Sequence, residues 1–401
     1  MKRILFTLAA TLACVPLLLA QESITPVIAS LPKPKGASAQ SWVKLGNSLM
    51  QKARNTVGQD FAPATAAFEK ALSLDSHNLE AIVGMAWVRN SEHNFSAGRQ
   101  YAERALALDP QQVDAHSLIG DGAVELGNYD EAFDHYQTAL GTRADLSTLS
   151  RASHLLWLTG DATQARTMMQ QAIAAGGPHP ENAAWCRSEL ALMDFQSGAM
   201  PSAEQQAAAA VEAAPENPRV LATMARILAA KHDYSKAIEL YEKSTAITPN
   251  HEALAALVGL YHLRGSEQKA NEQFEKVVAF HRQYPHPNSA QLARFYADHD
   301  REPDAALKEA RGAYEVYKNV GVADTLAWCL LKAGQPQEAK DMLGRAMKWK
   351  TPDAEMCFHA GMIELAMENP EAAQRHFKEA LAMNPDFHPI HAATAAEYLK
   401  N

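Results

Sequence analysis

The sequence predicts an all-α protein, a solenoid of about ten stacked helix pairs with a C-terminal capping helix. Three observations carry that expectation. First, a small residue recurs as Ala64, Gly98, Ala132, Ala165, Ala203, Ala237, Ala270, Ala306, Ala339 and Ala373, with a period of about 34 residues. Two helices of about a dozen residues and two short turns use up such a period. Second, a fixed frame surrounds each anchor: Tyr129, Ala132, Tyr136 and Ala139 form one clean copy, and Tyr234, Ala237, Tyr241 and Ser244 another, closed by Pro249. Third, positions 16, 13, 12 and 9 before an anchor are mainly apolar or small. In the copy anchored on Ala237 these are Leu221, Met224, Ala225 and Leu228, which at 3.6 residues per turn share a sector of about 100° and form one buried stripe.

The elements follow in chain order. Lys2 and Arg3, an apolar run from Ile4 to Ala20 and then polar Gln21, Glu22 and Ser23 have the layout of an export signal, with cleavage expected after Ala20. The alternatives are an uncleaved anchor, for which a run of this length interrupted by Pro16 is at the lower limit, and a lipoprotein signal using Cys14, where Thr11 occupies the place of a branched aliphatic residue. Residues 21–40 hold Pro26, Pro32 and Pro34 without helical period and read as a flexible leader. Residues 41–390 hold the repeats, and residues 391–401 the cap. Within each copy Gly or a polar residue breaks the first helix, as at Gly127, Gly160, Gly198 and Gly334, and Pro ends the second, as at Pro110, Pro215, Pro249 and Pro385. The first copy carries about six extra residues around Asn55 to Asp60. Met169 and Ala310 stand where the copies anchored on Ala165 and Ala306 should have an aromatic residue. The period lengthens across residues 176–180 and 284–287, each read as a bend or as a longer turn that leaves the stacking undisturbed.

The turn glycines, the anchors, the aromatics Phe68, Tyr136, Tyr241, Phe274 and Phe377, and the closing alanines Ala71, Ala105, Ala139, Ala172, Ala210 and Ala380 resemble the tetratricopeptide repeat (TPR) family over roughly residues 41–390. With its N-terminus, the chain looks like an exported bacterial member. The resemblance implies a right-handed superhelix with a concave groove. Residues 324–385 with Phe387 and His388 look like the closing pair of repeats common in such proteins, and Ile390 to Leu399 would then cover the last apolar face.

Charge and composition exclude several function classes. The chain is acidic, −9 overall; removing Lys2 and Arg3 from its 37 basic residues leaves 35 against 46 acidic ones, a net charge of −11. That argues against nucleic acid, which needs a positive footprint. No second apolar run approaches membrane-spanning length, so no span is expected in the mature chain. Cys186, Cys329 and Cys357 form no disulfide framework and no CxxC site. Cys329 and Cys357 lie in adjacent first helices at different heights, so they read as small buried hydrophobes. His388 and His391 near His376 are the best metal candidates, but Pro389 lies between the first two and no partner is fixed nearby; surface histidines on a cap are expected. His251 and Glu252 begin a zincin-like string that Ala255 ends. Gly120 and Gly122 begin a dinucleotide-like string that Glu125 ends. Lone carboxylates read as solvated faces. No catalytic centre, metal or cofactor is expected.

A binding face remains. Positions 18, 15, 11 and 8 before the anchors form a second stripe whose centre is about 130° from the buried one, and in TPR superhelices this face lines the groove. It reads Trp87, Asn90, Asp121, His154, Trp157, Trp185, Phe195, Arg226, His262, Phe295, Trp328 and Phe358. Aromatic rings there suit a protein or peptide partner, or else fill junctions between repeats. Trp42 and Trp349 lie off the stripe and read as core or junction. No Lys lies 15 before an anchor and no Asn 11 before one, so the family's carboxylate-clamp and sugar-transfer ligands are not expected. The expectation is a non-enzymatic interaction scaffold of the cell envelope, periplasmic or extracellular or tethered by a retained N-terminus. Carbohydrate or cell-wall binding, and a regulatory arm for an enzyme on another chain, are the alternatives.

Overall fold

The computed structural model describes residues 38–54, 60–176, 180–285 and 290–400, with Leu31 and Gly36. The expected export signal, nearly all of the leader, and most of the extra residues of the first copy lie outside the described residues. Helix starts are set locally. Asn78, Asn94, Asp145, Asp161, Asn217, Asp233, Asn250, Asn319 and Asp353 each accept a hydrogen bond from a backbone N–H of the first turn, which satisfies donors that a helix leaves unpaired.

Among the described residues there are ten antiparallel hairpins: α1–α2 (Ala39–Arg54, Ala62–Leu74), α3–α4 (Leu79–Ser91, Phe95–Leu108), α5–α6 (Val113–Glu125, Tyr129–Thr142), α7–α8 (Leu146–Leu158, Ala162–Ala175) and α9–α10 (Pro180–Gln196, Met200–Ala213) in the first half. The second half has α11–α12 (Pro218–Ala230, Tyr234–Ile247), α13–α14 (His251–Leu263, Glu267–Gln283), α15–α16 (Ala290–Asp298, Pro303–Val316), α17–α18 (Val320–Lys332, Pro336–Ala346) and α19–α20 (Ala354–Ala366, Pro370–Met383). A short 3-10 turn, Met347–Trp349, follows α18, and α21 (His391–Tyr398) ends the stack. Among the described residues there is no strand, and no helix is long and apolar enough to cross a membrane.

Every anchor sits on the second helix of its hairpin and is buried. The reason is close approach: Ala there lets the two helices meet without a gap, and the ring four residues on fills the next space. Three rings lie against glycine. A Cβ on Gly84, Gly120 or Gly361 would stand 2.3 Å from Phe68, Tyr136 or Phe377. Copies without that ring still pair, with Ala102, Met169, Ala207, Ala310 and Leu343 buried in its place. Beside the lengthened period after residue 283, Phe274 and Phe295 meet at 4.7 Å between ring centroids and join the flanking hairpins.

The stack also closes on itself. The turn inside the third hairpin reaches the loop before the ninth: Lys318 N–H donates to the Glu125 carbonyl at 2.8 Å, Asn319 Nδ2 to Glu125 Oε2 at 2.7 Å, and Val320 N–H to Tyr129 Oη at 2.9 Å. One hairpin on, Thr351 Oγ1 donates to the Leu158 carbonyl at 2.5 Å; the next equivalent is Asn384 Nδ2 to the Phe195 carbonyl at 2.7 Å. These partners are 189 to 194 positions apart. Each hairpin adds a similar rotation, so the contact recurs in step along both rims. Rings join in: Trp349 packs edge-on to Tyr129 at 5.2 Å, and Tyr317 to His93 at 5.4 Å. One apolar cluster therefore takes in Val124, Tyr129 and Leu155 together with Leu326, Trp328, Phe358 and Phe377.

Candidate functional site at the superhelix axis

First helices of the eighth, ninth and tenth hairpins meet in a hub on Arg294 of α15, and Phe195 and Arg226 of the fifth and sixth hairpins lie beside it. Its guanidinium meets Asp298 Oδ1 at 3.0 Å, Asp324 Oδ2 at 2.9 Å and Glu355 Oε1 at 3.1 Å. Each carboxylate is held again from behind. Trp328 Nε1 donates to Asp298 at 2.9 Å, His359 Nδ1 pairs with Asp324 Oδ1 at 2.8 Å, and His391 Nδ1 with Glu355 Oε1 at 3.2 Å. The rings stack: Trp328 on His359 at 4.3 Å, Phe358 on His391 at 4.5 Å, and His388 on His391 at 4.1 Å.

Burial alone would strip the charge from these groups, and their mutual attraction restores it. Desolvation works against the Arg294 guanidinium, but Asp298, Glu355 and Asp324 hold its pKa well above the ordinary value. Desolvation likewise raises Glu355, yet Arg294 and His391 hold it well below the usual carboxylate range. Burial wins for the histidines: the His391 pKa is lowered despite Glu355, and burial with the neighbouring His391 takes His388 down to about 3. Asp353, which caps α19, is pushed up by burial and by Asp324 and Glu355.

Two cavities flank the hub. One, of 350 Å³, is bordered by Phe195, Arg226, Asp298, Asp353, Glu355 and His388. The other, of 370 Å³, is bordered by His251, Gln291, Asn319, Asp324 and Thr325, and both touch Arg294, Asp353 and Glu355. The wall of the first cavity is polar and rich in acceptors, and Arg294, on both, is already committed to three carboxylates.

The expected aromatic face is largely inside the protein. Trp157, Phe195, Phe295, Trp328 and Phe358 are buried, so of the two readings of these rings, partner-binding groove or filled junction, their burial fits the junction. Trp87 and Trp185 are half-buried, as are Asn90, Asp121 and Arg226. Asn90 Nδ2 donates to the Leu118 carbonyl of the next hairpin at 2.7 Å. Asp121 takes both Arg151 Nε at 2.8 Å and Nη2 at 3.0 Å, with Tyr136 Oη on the same carboxylate at 2.7 Å. Arg226 lies over the Phe195 ring, 5.3 Å from its centroid. His154 and His262 are exposed, and His262 pairs with Glu267 at 2.8 Å. Of the twelve, Phe195 and Arg226 reach the first cavity, while Trp328 and Phe358 brace the hub from behind.

The cap histidines also differ from expectation. His391 is buried and His388 and His376 are half-buried, and Glu355 supplies His391 with the acidic partner that the local sequence lacks. Asp298, Asp324 and Glu355 lie 8, 15 and 18 positions before their anchors, on the stripe itself. The available signal was Arg294, 12 before Ala306, in a register that apart from Lys52 holds only Ala, Gly, Val and Ser. The three cysteines are buried and free, with thiols pushed up to about 12 by burial, so they pack as hydrophobes.

Sequence comparison places tetratricopeptide repeat profiles on residues 85–146, 151–218, 194–261 and 354–387. No curated protein matches the chain. Among solved structures, the human IFIT1 dimer with PPP-AAAA is similar at a TM-score of 0.50 and 14% identity, covering 85% of this chain and 85% of that one. Yeast Tom70 gives a TM-score of 0.42 at 15% identity over 90% and 89% of the two chains. YrrB, a TPR protein with an unusual peptide-binding site, gives 0.34 at 22% identity over 48% of this chain and 98% of its own. At these identities the likeness concerns the fold.

Proposed function

The chain belongs to the tetratricopeptide repeat family, and on that premise we propose that it is a non-enzymatic scaffold that holds a partner protein in its axial chamber. Proteins of the family are usually scaffolds that bind proteins or peptides. The observation that carries the finer reading is the acceptor-rich wall made by Asp298, Asp353 and Glu355 around a cavity of 350 Å³. That size is near the lower end of ligand pockets, so it receives one side chain or a chain terminus rather than a length of peptide. The ligand group is a basic side chain or an amino terminus, drawn in by a chain of net charge −9. The aromatic contribution is narrower than a continuous stripe and comes from Phe195 and Phe387 at the chamber edge.

The protein is exported and works in the cell envelope, a reading supported by Lys2, Arg3 and the apolar run to Ala20. Carbohydrate binding has less support, since Trp157 and Trp328 have no free face for a sugar ring. Fluorescence anisotropy with a library of short peptides tests the chamber. Peptides bearing Lys, Arg or a free amino terminus bind, their alanine or acetylated counterparts do not, and Asp353→Asn, which keeps the helix cap, weakens binding about tenfold. Equal binding of all peptides, or no effect of Asp353→Asn, sinks the reading. Mass spectrometry of the protein from its host tests export: an intact Met1 N-terminus on a soluble cytosolic protein excludes it.

A further inference from the structure

Glu355 and His359 are four residues apart on α19 and share one face of the helix. His391 arrives from α21, and one ligand atom from each of the three lies within 4.8 Å of the others. Two features separate this cluster from an ordinary buried polar network. His359 is fully buried, and its Nε2 has no hydrogen-bond partner. Its other nitrogen, Nδ1, is already held by Asp324 at 2.8 Å. That bond places the proton on Nδ1 facing the carboxylate, leaving a lone pair on Nε2 with no donor to receive it. A buried acceptor left so costs about 1–3 kcal/mol.

Arg294 and His391 both engage Oε1 of Glu355, and among the described residues no hydrogen bond reaches Oε2. Four carboxylates, Asp298, Asp324, Asp353 and Glu355, surround the single guanidinium of Arg294, so negative charge remains in excess on this wall. The cavity bordered by Glu355 and His388 lies beside the cluster and has space for a water.

We propose that Glu355, His359 and His391 form a binding site for a divalent transition metal of the zinc class, which ties the terminal helix α21 to α19. Two imidazoles and one carboxylate are a zinc donor set, with water as the fourth ligand, and they disfavour Mg²⁺ and Ca²⁺, which take oxygen ligands. Asp324 is the outer carboxylate that orients a metal-bound histidine. The ion takes the place of the proton on His391 Nδ1, and the neutral imidazole keeps its one proton on Nε2.

The experiment uses the full chain stripped with chelator and titrated with ZnCl₂ by calorimetry, and separately with Co²⁺ by visible absorption. The expected result is one tight equivalent of Zn²⁺, no response to Mg²⁺, and the intense d–d bands of a four-coordinate Co²⁺ site. His391→Gln and Glu355→Gln each weaken Zn²⁺ binding at least tenfold, and Asp324→Asn weakens it 10- to 100-fold. His281→Gln, at a separate histidine pair, leaves it unchanged. Circular dichroism shows that each variant is folded, and Glu355→Gln, nearly isosteric, secures the test if another is not. Absence of a stoichiometric site, or equal affinity in His391→Gln and Glu355→Gln, overturns the proposal. Neither readout involves a peptide, so failure here leaves the chamber reading standing.

Discussion

Asn384 donates its side-chain amide to the carbonyl of Phe195 at 2.7 Å, across 189 positions of sequence, and both residues are buried. The bond joins the loop after the tenth hairpin to the end of the first helix of the fifth. It is one of a series with Thr351 to Leu158 and Asn319 to Glu125. A row of hairpins that would otherwise touch only its neighbours is thereby tied back on itself, and two cavities open to solvent lie at its axis.

Asn384→Leu removes the donor that crosses the stack and leaves the Phe195 carbonyl with the Gly198 N–H, at 2.9 Å, as its remaining partner. The expected loss is about 0.5–1.5 kcal/mol, read as a lower urea midpoint, with a larger radius of gyration in small-angle scattering as the rim opens. An unchanged midpoint and radius would show that the contact is not holding the ring.

The turn glycines divide into two groups. A Cβ on Gly127, Gly160 or Gly198 would stand 2.5, 2.9 or 2.5 Å from the carbonyl oxygen of Lys318, Trp349 or Met383, while one on Gly265 or Gly334 meets nothing within 4 Å. All five have positive φ, so each Gly→Ala change costs about 1 kcal/mol in backbone strain. At the first three the backbone clash adds about 1–3 kcal/mol. Equal losses for Gly198→Ala and Gly334→Ala in denaturant titrations would contradict closure.

Arg294→Met leaves Asp298, Asp324 and Glu355 without their shared cation. Removing one partner of a buried ion network costs about 3–5 kcal/mol. The variant is expected to unfold at least 10 °C lower in a thermal scan. A drop of only one or two degrees would mean that water reaches these carboxylates freely.

His251 and His281 meet at 2.8 Å, and burial with the His281 charge takes the His251 pKa from 6.5 to about 3. A folded-state pKa below the unfolded one means that the unfolded chain binds more protons between those values. This contribution is therefore full above about pH 6.5 and is lost as pH falls toward 3. Between pH 7.5 and 5 the loss is at most about 2 kcal/mol. In His251→Gln, the pH dependence of the urea midpoint over this window should be shallower by that amount, and an identical slope would refute the assignment.

Much of the fold was legible in the chain. Ala132, Tyr136 and Ala139 already show which face of α6 packs inward, since helix periodicity is a local property. The candidate site was legible only in fragments. Trp328 and Phe358 were singled out by register, but register cannot say whether a ring faces water or a neighbour on the next hairpin. Asp298, Asp324 and Glu355 lay on the same stripe and passed for solvated charges, because the arginine that pairs all three is far from two of them in sequence.

The sequence by itself determined the hairpins, their number and their small anchors. Each depends on residues within one period, and ten copies repeat the instruction. Only the tertiary structure decided that the stack closes, that Glu355 meets His391, and that the axial wall is acidic and polar rather than a strip of exposed rings. Closure arises from a small rotation per hairpin summed over about half the stack, which no local pattern encodes, and the Glu355–His391 contact arises from packing of the cap helix on the tenth hairpin.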